Sequence, residues 1–295
     1  MNASKSLPIL LLIVLATIWG SSFILMKEGL KCFSGVQVAA LRITIGGSVF
    51  IPFIGRYLKR IEKADLKYAI LAGVIGNGIP AFLFAIGQQK VDSSIAGVLN
   101  ALTPIFTIII GLSLGVIDSN RWKIAGVVIG LSGAVAIMLG KPSDDLAFNW
   151  SHLLMIVVAT FLYGANINLI KAKLSKYPSI VISALPLFFI SLGGIFILVF
   201  SGFFSINPAD HVHYSKSFGA IALLALLGNS LSLILFNRLI QISGPVFASS
   251  VTYLIPIVAV IWGLWDGEVI SLIQSLGLLA ILAGVYMINR VANRS

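Results

Sequence analysis

Ten nearly charge-free stretches of about 18–22 residues alternate with short polar segments along the chain. They lie near residues 8–27, 36–55, 68–88, 94–115, 122–140, 151–170, 179–201, 218–237, 246–265 and 271–289. A helix rises about 1.5 Å per residue, so each is long enough to cross a hydrocarbon core of roughly 30 Å. The pattern predicts an all-α integral membrane fold with ten transmembrane helices. The first stretch is longer than a signal-peptide core and leads into further apolar runs, so it reads as a span, not a cleaved leader.

The polar and small residues inside these stretches recur. Gly76-Asn77 and Leu102-Thr103-Pro104 return as Gly228-Asn229 and Leu254-Ile255-Pro256, both at an offset of 152 residues. Gly126 and Gly133 return as Gly277 and Gly284 at an offset of 151. Earlier in the chain, Trp19-Gly20 with Lys27 matches Tyr163-Gly164 with Lys171 at 144. One unit has therefore been duplicated. The copies are expected over 8–140 and 151–289, joined by a linker at 141–150. Five spans per copy is an odd number, so the second copy enters the membrane from the opposite side. The expected architecture is two inverted five-helix repeats around a central cavity, the arrangement that alternating-access carriers use.

Charge sets the orientation. Placing the N-terminus inside puts fourteen Lys and Arg residues on the cytoplasmic side and five outside, with Arg42 within a span. The positive-inside rule then predicts cytoplasmic N- and C-termini and an extracytoplasmic linker. Composition agrees with the membrane class: 58% hydrophobic, 10% charged, mean hydropathy +1.04. The net charge of +10 is spread over short loops, which gives no footprint for nucleic acid. The single cysteine, Cys32, excludes an internal disulfide framework and a cysteine-based metal cluster.

A polar side chain at membrane depth must find a partner, so each is either interhelical glue or a ligand in a cavity. Asn77 and Asn229 occupy matching places in the third and eighth stretches. Asn100 and Thr103, and Thr252 and Tyr253, flank the two matched prolines. Pro80, Pro104 and Pro256 each free a carbonyl and loosen a helix, which makes them candidate hinges. Trp19, Tyr163 and Asn166 lie along the first and sixth stretches as candidate cavity lining. Arg42 is the only formal charge well inside a span, a candidate for substrate binding or gating, with snorkelling to the surface as the competing role. Lys27 and Lys171 read as snorkelling anchors. Gly126, Gly130 and Gly133, with Gly277 and Gly284, suit close helix packing.

Trp19-Gly20-Ser21-Ser22-Phe23, Ala40-Leu41-Arg42, Leu102-Thr103-Pro104, Gly126 with Gly133, Pro256, Gly267-Glu268, and Gly277 with Gly284 together resemble the EamA repeat of the drug/metabolite transporter superfamily. The likeness covers about residues 8–288 as two tandem domains. One departure stands out: Val116 occupies the position matching Glu268, with Asp118 two residues later. The resemblance implies a multi-pass protein of the bacterial inner membrane in which spans 1–4 and 6–9 surround the cavity. Spans 5 and 10 then lie apart from it. It also implies transport of amino acids, nucleosides, other metabolites or toxic cations, usually outward.

All ten acids fall in loops or at span ends, so a carboxylate-based coupling-ion site is not expected. Asp210, His211 and His213 form the only cluster available to a membrane-embedded enzyme acting on a lipid-linked substrate, and their spacing fits a solvated loop. No cofactor or metal motif occurs. The expected partners are a small-molecule substrate and the lipid bilayer, with a homodimer as an option. Because little charge lines the spans, a strongly anionic substrate is disfavoured. Export of amino acids or related amphipathic compounds leads, and a multidrug or toxic-amine exporter of the same fold is the alternative.

Overall fold

The computed structural model describes residues 3–115, 120–140, 150–249 and 251–292. Every regular element among them is helical. Eight helices are long and apolar enough to cross a membrane. They are α1 (Leu7–Gly29), α2 (Gly35–Leu58), α3 (Lys63–Gly87), α4 (Ser93–Ser113), α5 (Arg121–Leu139), α6 (Trp150–Leu174), α7 (Ser179–Phe200) and α8 (Tyr214–Phe236). Two further apolar helices follow, α9 (Val251–Trp265) and α10 (Leu272–Ala292). The expected linker, apart from Trp150, and the departure at Val116 and Asp118 lie outside the described residues.

Local chemistry fixes several boundaries. Ser34 accepts a hydrogen bond from the Gln37 amide while Gln37 returns one to the Ser34 amide, a capping box that starts α2. Asn120 caps α5 through the Trp122 amide. Inside the spans the helices are not uniform. In α3 the turn Val74–Gly78 is π-helical, and in α8 the turns Leu224–Leu231 are too. The α4 helix is interrupted at Ala101 and Leu102 and restarts with Thr103 and Pro104 in its first turn.

Large apolar side chains are widely exposed on the outer faces, among them Leu10, Val128, Phe196, Ile261 and Leu279. A water-soluble bundle turns such faces inward, whereas lipid-facing helices present them. The interior is closed by contacts between the two halves of the chain. α1 packs on α8 and α9, α2 on α7 and α8, α3 on α6, and α4 on both α6 and α9. The α5 and α10 helices pack mainly on each other.

That last contact is made of glycine. A side chain at Gly133 would begin 2.6 Å from the Gly277 carbonyl oxygen, and one at Gly277 would begin 2.7 Å from the Gly133 oxygen. Gly284 sits directly against Gly126 and Gly130. Backbone thus lies on backbone along the whole seam, the close approach that small residues permit in membranes.

Candidate functional site

The two Gly-Asn pairs singled out in the sequence both fall on π-helical turns. Such turns widen the helix and leave backbone groups out of the regular ladder, and they occur often at functional sites. In α8 the turn carries Asn229, which is buried, and its Oδ1 accepts from the Nε and Nη2 of Arg42 at 3.1 and 2.9 Å. One turn thereby joins α2 to α8 through a charge-assisted pair. The same turn offers the Gly228 carbonyl to the Trp19 indole, which donates at 3.0 Å to that oxygen and at 2.9 Å to Ser232 Oγ. The Phe236 ring lies 5.2 Å from Trp19, centre to centre.

Tyr163 on α6 completes the cluster. Its phenol lies within hydrogen-bonding and electrostatic reach of the Arg42 guanidinium. Its ring stacks on Phe84 at 5.9 Å, and Phe84 in turn meets Phe23 at 5.9 Å. The result is one cation on α2 bonded by an amide of α8 and a phenol of α6, with aromatic rings of α1, α3 and α8 packed beside those two partners. Among the described residues no carboxylate makes a salt bridge to Arg42. A desolvated guanidinium with only neutral partners is costly, and an incoming carboxylate would compensate it.

Around this cluster the other singled-out residues separate. Asn77 is half-buried on the α3 π-turn and makes no side-chain hydrogen bond among the described residues. Asn166 on α6 packs onto Gly76, the neighbour of Asn77, and its Oδ1 is buried without a hydrogen-bond partner there. Thr103 Oγ1, at the break in α4, is likewise buried without a partner, and Asn100 ends the helical piece before that break. Thr252 is half-buried on α9. Tyr253 points away from the cluster and donates its phenol to the Val285 carbonyl on α10 at 2.8 Å. Pro80 opens the α-helical piece after the π-turn, Pro104 opens the one after the break, and Pro256 lies inside an uninterrupted helix.

A second polar cluster ties the helices at one end of the bundle. Lys27, at the end of α1, pairs with Asp266 at 2.7 Å and Glu268 at 2.6 Å in the loop between α9 and α10. Glu268 is buried and also accepts from the Ser93 amide at 3.0 Å, the Ser93 hydroxyl at 2.7 Å and the Ser94 amide at 2.9 Å. Burial alone would raise its pKa, but the bonds from Lys27, Ser94 and Ser93 outweigh it and hold the carboxyl down at about 2. Lys27 is therefore an ion-pair donor, where the sequence pattern had suggested a snorkelling anchor.

The opposite end carries a different network. Lys176 pairs with Glu62 at 2.7 Å and Asp65 at 2.9 Å, and the Tyr177 hydroxyl donates to Asp65 at 2.7 Å. Here the lysine side chain is about half-exposed. The hydrogen bonds that Lys176 donates to Asp65 and Glu62 push its pKa above the ordinary lysine value. Asp210, His211 and His213 are exposed in the segment before α8.

Phe84, Phe236 and Ser232 belong to the Arg42 cluster and carry no signal that marks them in the sequence, where they are ordinary members of apolar runs, whereas Phe23 stands out there only as part of a motif. Glu268 and Lys27 were visible as residues but not as partners, since 241 positions separate them.

Comparison with known proteins agrees with this architecture. The chain is 30% identical over 285 residues to the uncharacterized transporter YoaV of Bacillus subtilis (strain 168), covering 94% of each protein. It is 24% identical over 292 residues to the uncharacterized inner membrane transporter YedA of Escherichia coli (strain K12), covering 94% of this chain and 89% of YedA. It is also 24% identical over 265 residues to an S-adenosylmethionine/S-adenosylhomocysteine transporter of Chlamydia trachomatis (serovar L2), covering 87% of this chain and 81% of that one. A solved crystal structure shares the fold with a TM-score of 0.66 at 15% identity, over 98% of both chains. The model of the EamA-like transporter family matches twice, at residues 6–139 and 150–290, and the chain, a multi-pass membrane protein, belongs to that family.

Proposed function

We propose that this chain is a ten-helix carrier built from two inverted five-helix repeats, 8–140 and 151–289. In this reading it exports a small carboxylate-bearing metabolite across the inner membrane by alternating access. Both termini face the cytoplasm, as the Lys and Arg bias requires. The offset motifs, the paired π-turns and the two family matches support the duplication.

The observation that carries the substrate class is Arg42, a cation deep in a span whose contacts are the neutral Asn229 and Tyr163. A carboxylate would complete that charge, and Trp19, Phe84 and Phe236 offer apolar faces to the remainder of the molecule. Amino acids and amphipathic compounds built on them combine those two features. The named substrates of the Chlamydia trachomatis relative are themselves amino-acid derivatives with a large ring system. A toxic amine without a carboxylate would meet a like charge at Arg42, which ranks that substrate second. Asn77, Asn100, Thr103, Asn166 and Thr252 are the further polar positions proposed to face the substrate path.

Purified protein in proteoliposomes tests this. Saturable accumulation of radiolabelled amino acids or their amphipathic derivatives is expected, with the methyl esters excluded. Background accumulation of every acid tested, in vesicles of either orientation, would overturn it.

A further inference from the structure

Four helices meet at the end of the bundle where Lys27 sits. At that end α4 and α9 touch so closely that Gly97 rests on Ala259, and a side chain on Gly263 would start 2.7 Å from the Ser94 Cβ. Gly20 of α1 leaves the same small clearance, 2.5 Å, to Val258 of α9. No solute passes between helices at that separation. At the same end, Lys27, Lys31, Gln88, Lys90, Asp92 and His152 line a vestibule of about 640 Å³. Lys27 thus belongs both to the vestibule wall and to the seal beside it.

The seal is held by polar bonds of a particular kind. Every donor (the Lys27 ammonium, the Ser93 amide and hydroxyl, the Ser94 amide) comes from the first half of the chain. Both acceptors, Asp266 and Glu268, come from the second half. The amides at the start of a helix have no partner within it, so a carboxylate placed there both satisfies them and meets the positive end of the helix dipole. Parting the two halves at this end would leave those amides and two carboxylates exposed at once.

In sequence, the matching positions of the other repeat carry different residues. Val116 stands for Glu268, Leu114 for Asp266, and Pro245 and Val246 for Ser93 and Ser94. Valine and leucine accept no hydrogen bond, and Pro245 has no amide to donate. Lys171, the counterpart of Lys27, is exposed.

We infer that Lys27, Asp266 and Glu268 form a latch that closes the extracytoplasmic end by tying the two halves together, with no buried counterpart among the described residues at the cytoplasmic end. The latch rests on the alternating-access reading above. Its consequence is a resting preference: the empty carrier is closed outside and opens readily toward the cytoplasm. An exported solute then meets an accessible site from the inside, and the vestibule beside the latch is its way out.

Side-specific labelling tests the latch. Cys32, the only cysteine, is replaced by serine, and Asn100→Cys supplies a reporter just below the α4–α9 contact. An impermeant thiol reagent is applied separately to each side of the membrane. With the latch intact, labelling is expected from the cytoplasmic side alone. Lys27→Met and Glu268→Gln should raise labelling from the outside roughly tenfold, and Lys27→Arg should restore the closed pattern. Lys27→Met leaves the bonds from Ser93 and Ser94 to Glu268 in place, so it carries the test even if Glu268→Gln fails to fold. Unchanged sidedness in a well-folded Lys27→Met protein would overturn the latch while leaving the carrier standing. Labelling from both sides before any latch residue is altered would overturn the latch while leaving alternating access standing, and labelling from neither side would overturn the central path and the alternating-access reading with it.

Discussion

Two seams in this molecule are built from glycine, and they differ in what lies beside the glycines. Along α5 and α10, Gly126, Gly130, Gly133, Gly277 and Gly284 meet backbone atoms and aliphatic groups such as Ile105, Ile137 and Ala280. At the closed end of α4 and α9, Gly97 and Gly263 meet side chains, and the contact terminates in the buried Glu268 cluster. The first seam is held mainly by dispersion over many backbone atoms, with the Ser271 hydroxyl donating to the Gly140 carbonyl at its end. The second is held by a few strong, directional bonds that can be exchanged for water or for another partner. Glycine alone therefore does not tell a permanent contact from one that opens. The charge beside it does.

The sharpest way to break this comparison is to add methyl groups to each seam. Valine at Gly133 or Gly284 would place atoms against opposing backbone, which has no side chain to swing aside. Each is expected to cost roughly 1–3 kcal/mol, and the pair together to prevent recovery of folded protein in detergent. Alanine at Gly97 meets the Ala259 methyl, on the contact proposed above to part during transport. It should lower the melting temperature less than Gly133→Val and raise outside labelling of the Asn100→Cys reporter. If Gly97→Ala unfolds the protein while Gly133→Val is tolerated, the assignment of moving and fixed seams is reversed.

Arg42 separates binding from folding in the same spirit. Its removal takes away one charge-assisted site for a carboxylate, an effect of about 1.5–3 kcal/mol, or roughly ten- to a hundredfold in affinity. Arg42→Ala is expected to abolish the thermal shift that a carboxylate substrate produces while leaving the melting temperature of the empty protein nearly unchanged. A neutral ester should bind both proteins alike. An Arg42→Ala protein that still distinguishes acid from ester would remove Arg42 from the site.

Much of this molecule was legible before any coordinates. Lipid tolerates few polar residues, so apolar runs announce helices, and the rare exceptions, Arg42, Asn229 and Trp19, announce themselves against that background. The Gly-Asn pairs were visible as a recurrence, but their π-helical turns were not. A π-turn depends on what packs beside it, as Asn166 does on Gly76, and local sequence does not encode that neighbour. Glu268 was read as a loop acid because its donors lie 174 and 175 residues away. Tyr253 beside Pro256 looked like cavity lining by its neighbours in sequence, whereas its hydroxyl reaches α10. In each case the missing information was a partner from another helix.

Acid should loosen the latch, and only acid. The folded state holds the Glu268 carboxyl at about 2, below the ordinary 4.5, so the unfolded or opened state binds the proton more readily. Its contribution is therefore complete above about 4.5 and is lost as pH falls from there toward about 2, with an upper bound of roughly 3 kcal/mol. Outside labelling of the reporter, divided at each pH by that of a freely exposed cysteine to remove the loss of thiolate, is expected to stay flat between pH 8 and 5 and to rise only below that window. A rise centred near pH 6.5 would point to a histidine and remove Glu268 from control of the seal.

The smallest effect belongs to the Lys176 network, and it tests whether ion pairs as such matter here. Lys176, Glu62 and Asp65 make bonds as short as those of the latch, 2.7–2.9 Å, and also join the two halves. Lys176 and Glu62 are largely open to water, however, where Coulomb attraction is screened and the lysine remains solvated when the pair separates. Its raised pKa keeps Lys176 charged through the neutral range. Lys176→Ala is expected to leave the melting temperature and the sidedness of labelling within experimental error. Equal responses to Lys176→Ala and Lys27→Met would mean that distance alone sets the strength of these contacts. Unequal ones would assign the difference to burial of Glu268 and to the helix start it caps.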